Sequence, residues 1–349
     1  MPPNNASDHQ KQAEFSLSII VATRNEEKFI GTLLDSLANQ SFPKDHFEVL
    51  IIDGKSTDAT IKTAESYKTR LNLRILANPK VYSTFAFNIG IEEAKSRLFA
   101  IVGAHSYLSK NYIEKSLETF YKVREKEPKL AGVGGICLNE NKDRVQKVTD
   151  LVYSSFFSGA RSCRYSRVPH FSDSIVFGVF DKETVVENGK FDEDFTKAGN
   201  DDELTIRLHN RGFKFFTNPD IVVHYFPRTS FGKFLRQTYN YGVAKGCMVR
   251  KGCRSPELSN SASLWFVPFS FLTYEILLLF ILAFFGLSFI LAFVPLILYV
   301  LVNVFISIRL LAKTKTALCL ALPPTYFIFH NVLGLSSLMG LILKKRAYL

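Results

Sequence analysis

Apolar and polar positions change over abruptly at two places near the start of the chain. Residues 16–27 read SLSIIVATRNEE and residues 47–60 read FEVLIIDGKSTDAT, each an apolar, β-branched run that breaks into small, polar and acidic residues at its C-terminal end. Such runs predict buried strands, and open α/β sheets place their ligand crevice at the C-terminal ends of strands. Between them Phe29, Ile30, Leu33, Leu34 and Leu37 recur at helical spacing. The unit therefore predicts strand, helix, strand, and a parallel pair.

The alternation continues. Residues 59–71 predict a helix, LRILANP a third strand, STFAFNIGIEEAKS a helix, residues 98–102 a strand opening into Gly103, Ala104, His105 and Ser106, and residues 111–126 a helix with Tyr112, Leu117 and Phe120 on one stripe. AGVGGICL and SIVFGVFD read as strands, and residues 139–174 as loop and helix rich in Arg, Ser and Tyr. An acidic helix start at NDDELTIRL, a stop at Gly212 and two further strands follow. This order predicts an α/β domain with a doubly wound, Rossmann-like sheet.

The pattern then changes. From residue 264 to 343 the chain is dominated by Leu, Phe, Ile and Val, with Glu275, Arg309, Lys313 and Lys315 almost its sole charges. Apolar runs near 264–285, 288–308 and 317–343 approach the ~20 residues that span a bilayer, and Pro323, Pro324, His330 and Asn331 interrupt the last. The expected division is a disordered polar lead-in over 1–15, an α/β domain over 16–255 and a membrane domain over 256–349 with two or three crossings. The polar start, MPPNNASDHQ, has no apolar signal core.

Charge sharpens this picture. The 349 residues carry a formal net charge of +11, and Lys233, Arg236, Lys245, Arg250, Lys251 and Arg254 crowd just before the first apolar run. A juxtamembrane basic cluster favours the cytoplasmic side of a multi-pass cell-membrane protein and attracts anionic or phosphorylated lipid. No recognition motif accompanies it, so nucleic acid is not an expected partner. The five cysteines show no CxxC pair and no zinc-like spacing with histidine, as for reduced thiols in the cytosol.

In this order and spacing the motifs over residues 16–251 resemble the family 2 inverting glycosyltransferases of the GT-A fold, in particular the membrane-associated enzymes of the succinoglycan type that assemble cell-surface polysaccharides. The resemblance implies a UDP- or GDP-sugar donor, a polyprenyl-linked acceptor and a divalent metal, Mn²⁺ or Mg²⁺. It places Thr23, Asn25 and Glu26 at the nucleotide, with Asp53 on base or ribose, and Asn88, Gly90 and Ala104 lining the nucleotide-sugar site. Many relatives have a second acid where this chain has Gly54. Read from the residues alone, the alternative for Asp53 is a helix N-terminal or turn acid, and Asn88 is equally a helix cap.

Relatives of this type carry Asp-x-Asp or Asp-Ala-His at the metal, whereas this chain has Gly103, Ala104 and His105. His105 and His224 remain as candidate metal or phosphate contacts. In NDDELTIRL the resemblance makes Asp201 the general base, with Asp202 as its alternative and Glu203 and Arg207 in support. It puts Arg207, Arg228, Arg236, Gln237 and Lys245 on the acceptor-diphosphate side. One carboxylate taking a hydroxyl proton suffices for an inverting transfer. A polyprenyl-phosphate hexose synthase and a degenerate, lipid- or partner-binding transferase are the competing readings.

Overall fold

The computed structural model describes residues 15–140, 143–158, 163–227, 230–253, 273–280, 282, 284 and 293–342. The first junction is strand β1 (Leu17–Thr23) and helix α1 (Ile30–Ala38). The second is β2 (Phe47–Asp53), followed by α2 (Thr60–Glu65) and β3 (Leu73–Ala77). Then come α3 (Ser83–Glu93), β4 (Leu98–Gly103), β5 (Ser106–Leu108) and α4 (Tyr112–Arg124). β1 pairs in parallel with β2 and β4, and β2 with β3.

On β1, Leu17, Ile19 and Val21 are buried with Leu33, Leu37, Tyr112 and Ile113 of α1 and α4, whereas Ile20 is buried on the other face with Ala86 and Ile91 of α3. The sheet is thus covered on both faces, and each fully buried aliphatic side chain contributes about 1.5–3 kcal/mol.

The second half extends the sheet with β6 (Leu130–Asn139), β7 (His170–Ser172), β8 (Val179–Asp181) and β9 (Lys214–Tyr225). The order is β3-β2-β1-β4-β8-β6-β9-β5, with β7 also on β9. Helices α5 (Arg144–Ser154), α6 (Lys182–Glu187) and α7 (Asn200–His209) lie between these strands.

The two strands expected after Gly212 are one, β9. Pro219 interrupts the polar–apolar pattern but not the pairing, because the register with β6 jumps from Gly134↔Thr217 to Ile136↔Val222 and leaves Pro219 in the bulge.

Beyond β9, α8 (Phe231–Arg250), α9 (Val294–Thr314) and α10 (Leu322–Ile342) complete the described chain. Val294–Thr314 and Ala317–Ile342 are long and apolar enough to cross a membrane. The first expected run falls largely outside the described residues; 273–280 are helical.

α10 is not a free-standing span. The Phe157 carbonyl lies 2.8 Å from His330 Nε2, and Phe329 packs on Tyr153 and Phe234. Farther along, α8 and α10 touch backbone to backbone: a Cβ at Gly246 would lie 2.0 Å from the Ser337 carbonyl oxygen, and one at Gly340 2.1 Å from that of Val243. Arg250 donates to the Gly340 carbonyl at 3.0 Å.

Candidate active site

The tips of β1, β2 and β4 stand side by side, since Thr23 pairs with Asp53 and Ala22 with Gly103. Asp53 receives the Ser56 amide at 3.0 Å, the Ser56 hydroxyl at 2.6 Å and the Thr23 hydroxyl at 3.5 Å. Asn25, in the left-handed region at φ 54°, accepts the Thr57 amide at 2.8 Å, and the Glu26 amide donates to Thr60 Oγ1 at 2.7 Å. The two polar junctions therefore close on each other as one rim. Asp53 is a turn-forming acid whose carboxylate has lone pairs left for ribose or base donors. A second acid at Gly54 has no room, because its Cβ would lie 2.7 Å from the Val81 carbonyl oxygen.

Two expected nucleotide contacts need correction. Asn88 sits inside α3 and is buried; its side chain accepts the Phe191 amide at 3.0 Å and donates to the Phe191 carbonyl at 3.0 Å. It clamps that loop and is neither a helix cap nor an exposed sugar contact. The Ala104 methyl is in the core, which leaves only its backbone for a ligand. Gly90 serves packing, since a Cβ there would meet Ile20 at 2.4 Å.

The expected metal ligands do not form a cation cage. His105 has Nδ1 3.2 Å from Glu26 Oε1 and Nε2 3.0 Å from the Tyr225 hydroxyl, so both ring nitrogens are engaged. His224 bonds Glu140 at 3.0 Å and stacks on Tyr107 at 4.3 Å. Being adjacent on β9, His224 and Tyr225 project to opposite faces, so the two histidines do not converge. Gly103 adds no carboxylate, and among the described residues no three His, Cys, Asp or Glu side chains are grouped for a metal. Hard divalent cations call for several oxygen ligands, which this donor set lacks.

The acidic helix start is built by Gly199. Its φ of 77° and the 2.7 Å that a Cβ would leave to Ala244 and Met248 both require glycine, and they bring the start of α7 against α8. Asp201 is exposed, Asp202 half-buried and Glu203 buried. Burial, then the charge of Asp201, pushes Asp202 up to about 7 against the opposing pull of Lys245. Lys245 is itself lowered by burial, with Asp202 working the other way.

Gln237, Tyr241 and Lys245 follow at four-residue spacing on one face of α8, and Gln237 donates to the Tyr241 hydroxyl at 2.8 Å. The Glu203 hydrogen bonds, against the opposing effect of burial, raise Arg207 above its ordinary value; its guanidinium donates to Glu203 at 2.7 and 2.9 Å and to the carbonyls of Asn188 and Lys190.

Glu203 and Arg207 thus hold α7 to the 188–190 loop, which corrects a direct catalytic or diphosphate role for either. Arg236 is exposed, a quarter turn and more away from the Gln237–Lys245 face. Arg228 lies outside the described residues.

Two side chains of this region, Arg164 and Tyr165, leave little trace in the sequence. Arg164 lies over the Tyr225 ring at 5.6 Å, and Cys137, Tyr241, Tyr225 and Tyr165 favour its charge although burial opposes it. Tyr165 donates to Asp150 at 2.9 Å. The one available signal was the Arg, Ser and Tyr content of residues 161–167, which has no periodicity.

The mannosyltransferase PcManGT from Pyrobaculum calidifontis, in complex with GDP-Man and Mn²⁺, shares this fold with a TM-score of 0.63 at 18% identity, over 93% of this chain and 87% of that one. The fold is of the GT-A type. Residues 18–160 match Glycosyl transferase family 2. The chain is 38% identical over 330 residues, 93% of its length and 97% of the relative's, to the dolichyl N-acetyl-alpha-D-glucosaminyl phosphate 3-beta-D-2,3-diacetamido-2,3-dideoxy-beta-D-glucuronosyltransferase of Methanococcus voltae.

The chain belongs to glycosyl transferase family 2. It also resembles the succinoglycan biosynthesis protein ExoA of Rhizobium meliloti, 24% identical over 72% of this chain and 76% of that protein.

Proposed function

We propose that this glycosyltransferase is inverting, sits on the cytoplasmic face of the cell membrane and moves a sugar from a UDP- or GDP-sugar to a polyprenyl-linked acceptor. The observation that carries the reading is the seat of the acidic α7 start against α8, whose Gln237–Lys245 face looks toward Asp202 while its other side is crossed by the apolar α10. That seat puts a carboxylate beside a helix packed on the apolar candidate span α10, which supports a lipid-linked acceptor. A relative that matches nearly end to end is named for transfer to a dolichyl-linked sugar phosphate.

In the step proposed, Asp201 takes the acceptor hydroxyl proton as that oxygen bonds to the anomeric carbon. The bond from that carbon to the diphosphate breaks on the opposite face, and the configuration inverts. The Thr23–Asp53 rim holds the nucleoside.

The test uses full-length protein in proteoliposomes, a panel of UDP- and GDP-sugars, and two acceptors, polyprenyl phosphate and polyprenyl-linked sugar. Mass analysis is expected to show one sugar added to the polyprenyl-linked sugar. Transfer only to the bare phosphate would make the protein a polyprenyl-phosphate hexose synthase, and no donor consumption would leave the degenerate reading.

Asp53→Ala is expected to weaken nucleotide binding by about tenfold, the scale of a charge-assisted hydrogen bond, with a smaller effect on kcat, because its partner is remote from the reacting carbon. Calorimetry with UDP and GDP checks this, and an unchanged affinity removes Asp53 from the binding rim.

A further inference from the structure

We propose that Arg164 binds the departing diphosphate and carries out with a guanidinium what a carboxylate-held cation at residue 103 would do. The inference rests on the glycosyltransferase reading above. The bond from the anomeric carbon to the diphosphate oxygen breaks with its electron pair going to that oxygen, and the new charge must meet a cation. Relatives of the resembling type supply it through an acid at the tip of β4, where this chain has Gly103.

Arg164 and residue 103 share a wall. The Arg164 guanidinium lies 5.6 Å from the centre of the Tyr225 ring, whose hydroxyl is 3.0 Å from His105 Nε2, two residues beyond Gly103. The ring of Phe177 lies 6.2 Å from that of Tyr225 and, among the described residues, is what a Cβ on Gly103 would meet, at 3.6 Å.

Arg164 also interacts electrostatically with Tyr241, which in turn feels the charges of Asp201 and Asp202. A planar fork of donors is suited to bidentate contact with phosphate oxygens. A Cβ at position 103 makes only ordinary contact with Phe177 at 3.6 Å, so a side chain can start from that position.

The experiment compares full-length wild type, Arg164→Gln, Arg164→Lys, Gly103→Asp and the double variant Arg164→Gln/Gly103→Asp, with and without Mn²⁺, reading turnover, UDP affinity by calorimetry and bound Mn²⁺ by electron paramagnetic resonance. Wild type is expected to keep most of its turnover in EDTA. Arg164→Gln is expected to lose about 10²-fold in kcat, the scale of one lost charge-stabilising donor, and to bind UDP more weakly.

The double variant is expected to bind Mn²⁺ and regain at least about tenfold of the lost rate, and only with Mn²⁺ present. Should the Gln variant misfold, the same comparison is made on Arg164→Lys, which keeps charge but loses the fork. Wild-type-like kcat in Arg164→Gln, or a change confined to acceptor KM, would overturn the proposal in favour of a structural or acceptor-phosphate role. A wild type that consumes no nucleotide sugar would instead defeat the broader reading and is recognised before any variant is compared.

Discussion

Replacing Asp201 with Asn is expected to lower kcat by about 10²-fold or more while nucleotide affinity stays within a few-fold of wild type. A positioned base contributes roughly 10²–10⁴-fold to proton transfer, and Asn keeps the shape while losing the basic lone pair. Asp201 is the exposed acid of the α7 start, free of the Arg207 clamp that holds Glu203. Asp202, pushed up to about 7 by burial and by Asp201, holds a proton in the folded state that the unfolded carboxyl would already have released.

Stability therefore falls as pH climbs from the ordinary carboxyl value of 3.8 towards about 7. Turnover that depends on Asp201 should not follow that titration. Single-turnover rates and melting temperatures across pH 4–9 check both points. A rate inflection near pH 7 that disappears in Asp202→Asn would transfer the base to Asp202.

The second large effect is structural. Glu203→Gln is expected to destabilise the α/β domain by about 3–5 kcal/mol, the range for breaking one side of a buried ion pair. The Glu203 side chain is 4% exposed and that of Arg207 20%, so the guanidinium would keep the Asn188 and Lys190 carbonyls but lose the carboxylate paired with it. Denaturant unfolding in detergent, followed by tyrosine fluorescence, measures it. Loss of activity at unchanged stability would return Glu203 to the chemistry.

The sheet's first half was legible because strand, helix and crevice each leave a periodic or compositional trace in one continuous segment. Thr23, Asn25, Glu26 and Asp53 come together because two such segments pair in register. Elements without a local trace were not legible. β5 has three residues, and β9 is continuous because it carries Pro219 in its own bulge and its pairing with β6 resumes at Val222.

The roles of Asn88 and Arg207 depend on loops at 188–191 that meet them only in the fold. Arg164 belongs to a segment without periodicity, and its meaning appears only beside Tyr225 and Tyr241.

The backbone contact between α8 and α10 has a consequence for reach. Phe327 and Leu335 point outward from α10, at 42% and 52% exposure, while Tyr326, Leu333 and Gly340 face the domain. A bilayer meeting that outer face is separated from Asp202 by two stacked helices, and packed helix axes normally stand 8–10 Å apart. The glycines compress this spacer, which makes it a gauge for how far an acceptor hydroxyl must project from its lipid. Gly246→Ala, which widens the gap, is expected to raise KM for acceptors with one sugar more than for those with two. Equal KM changes for both would show that α10 sets no such distance.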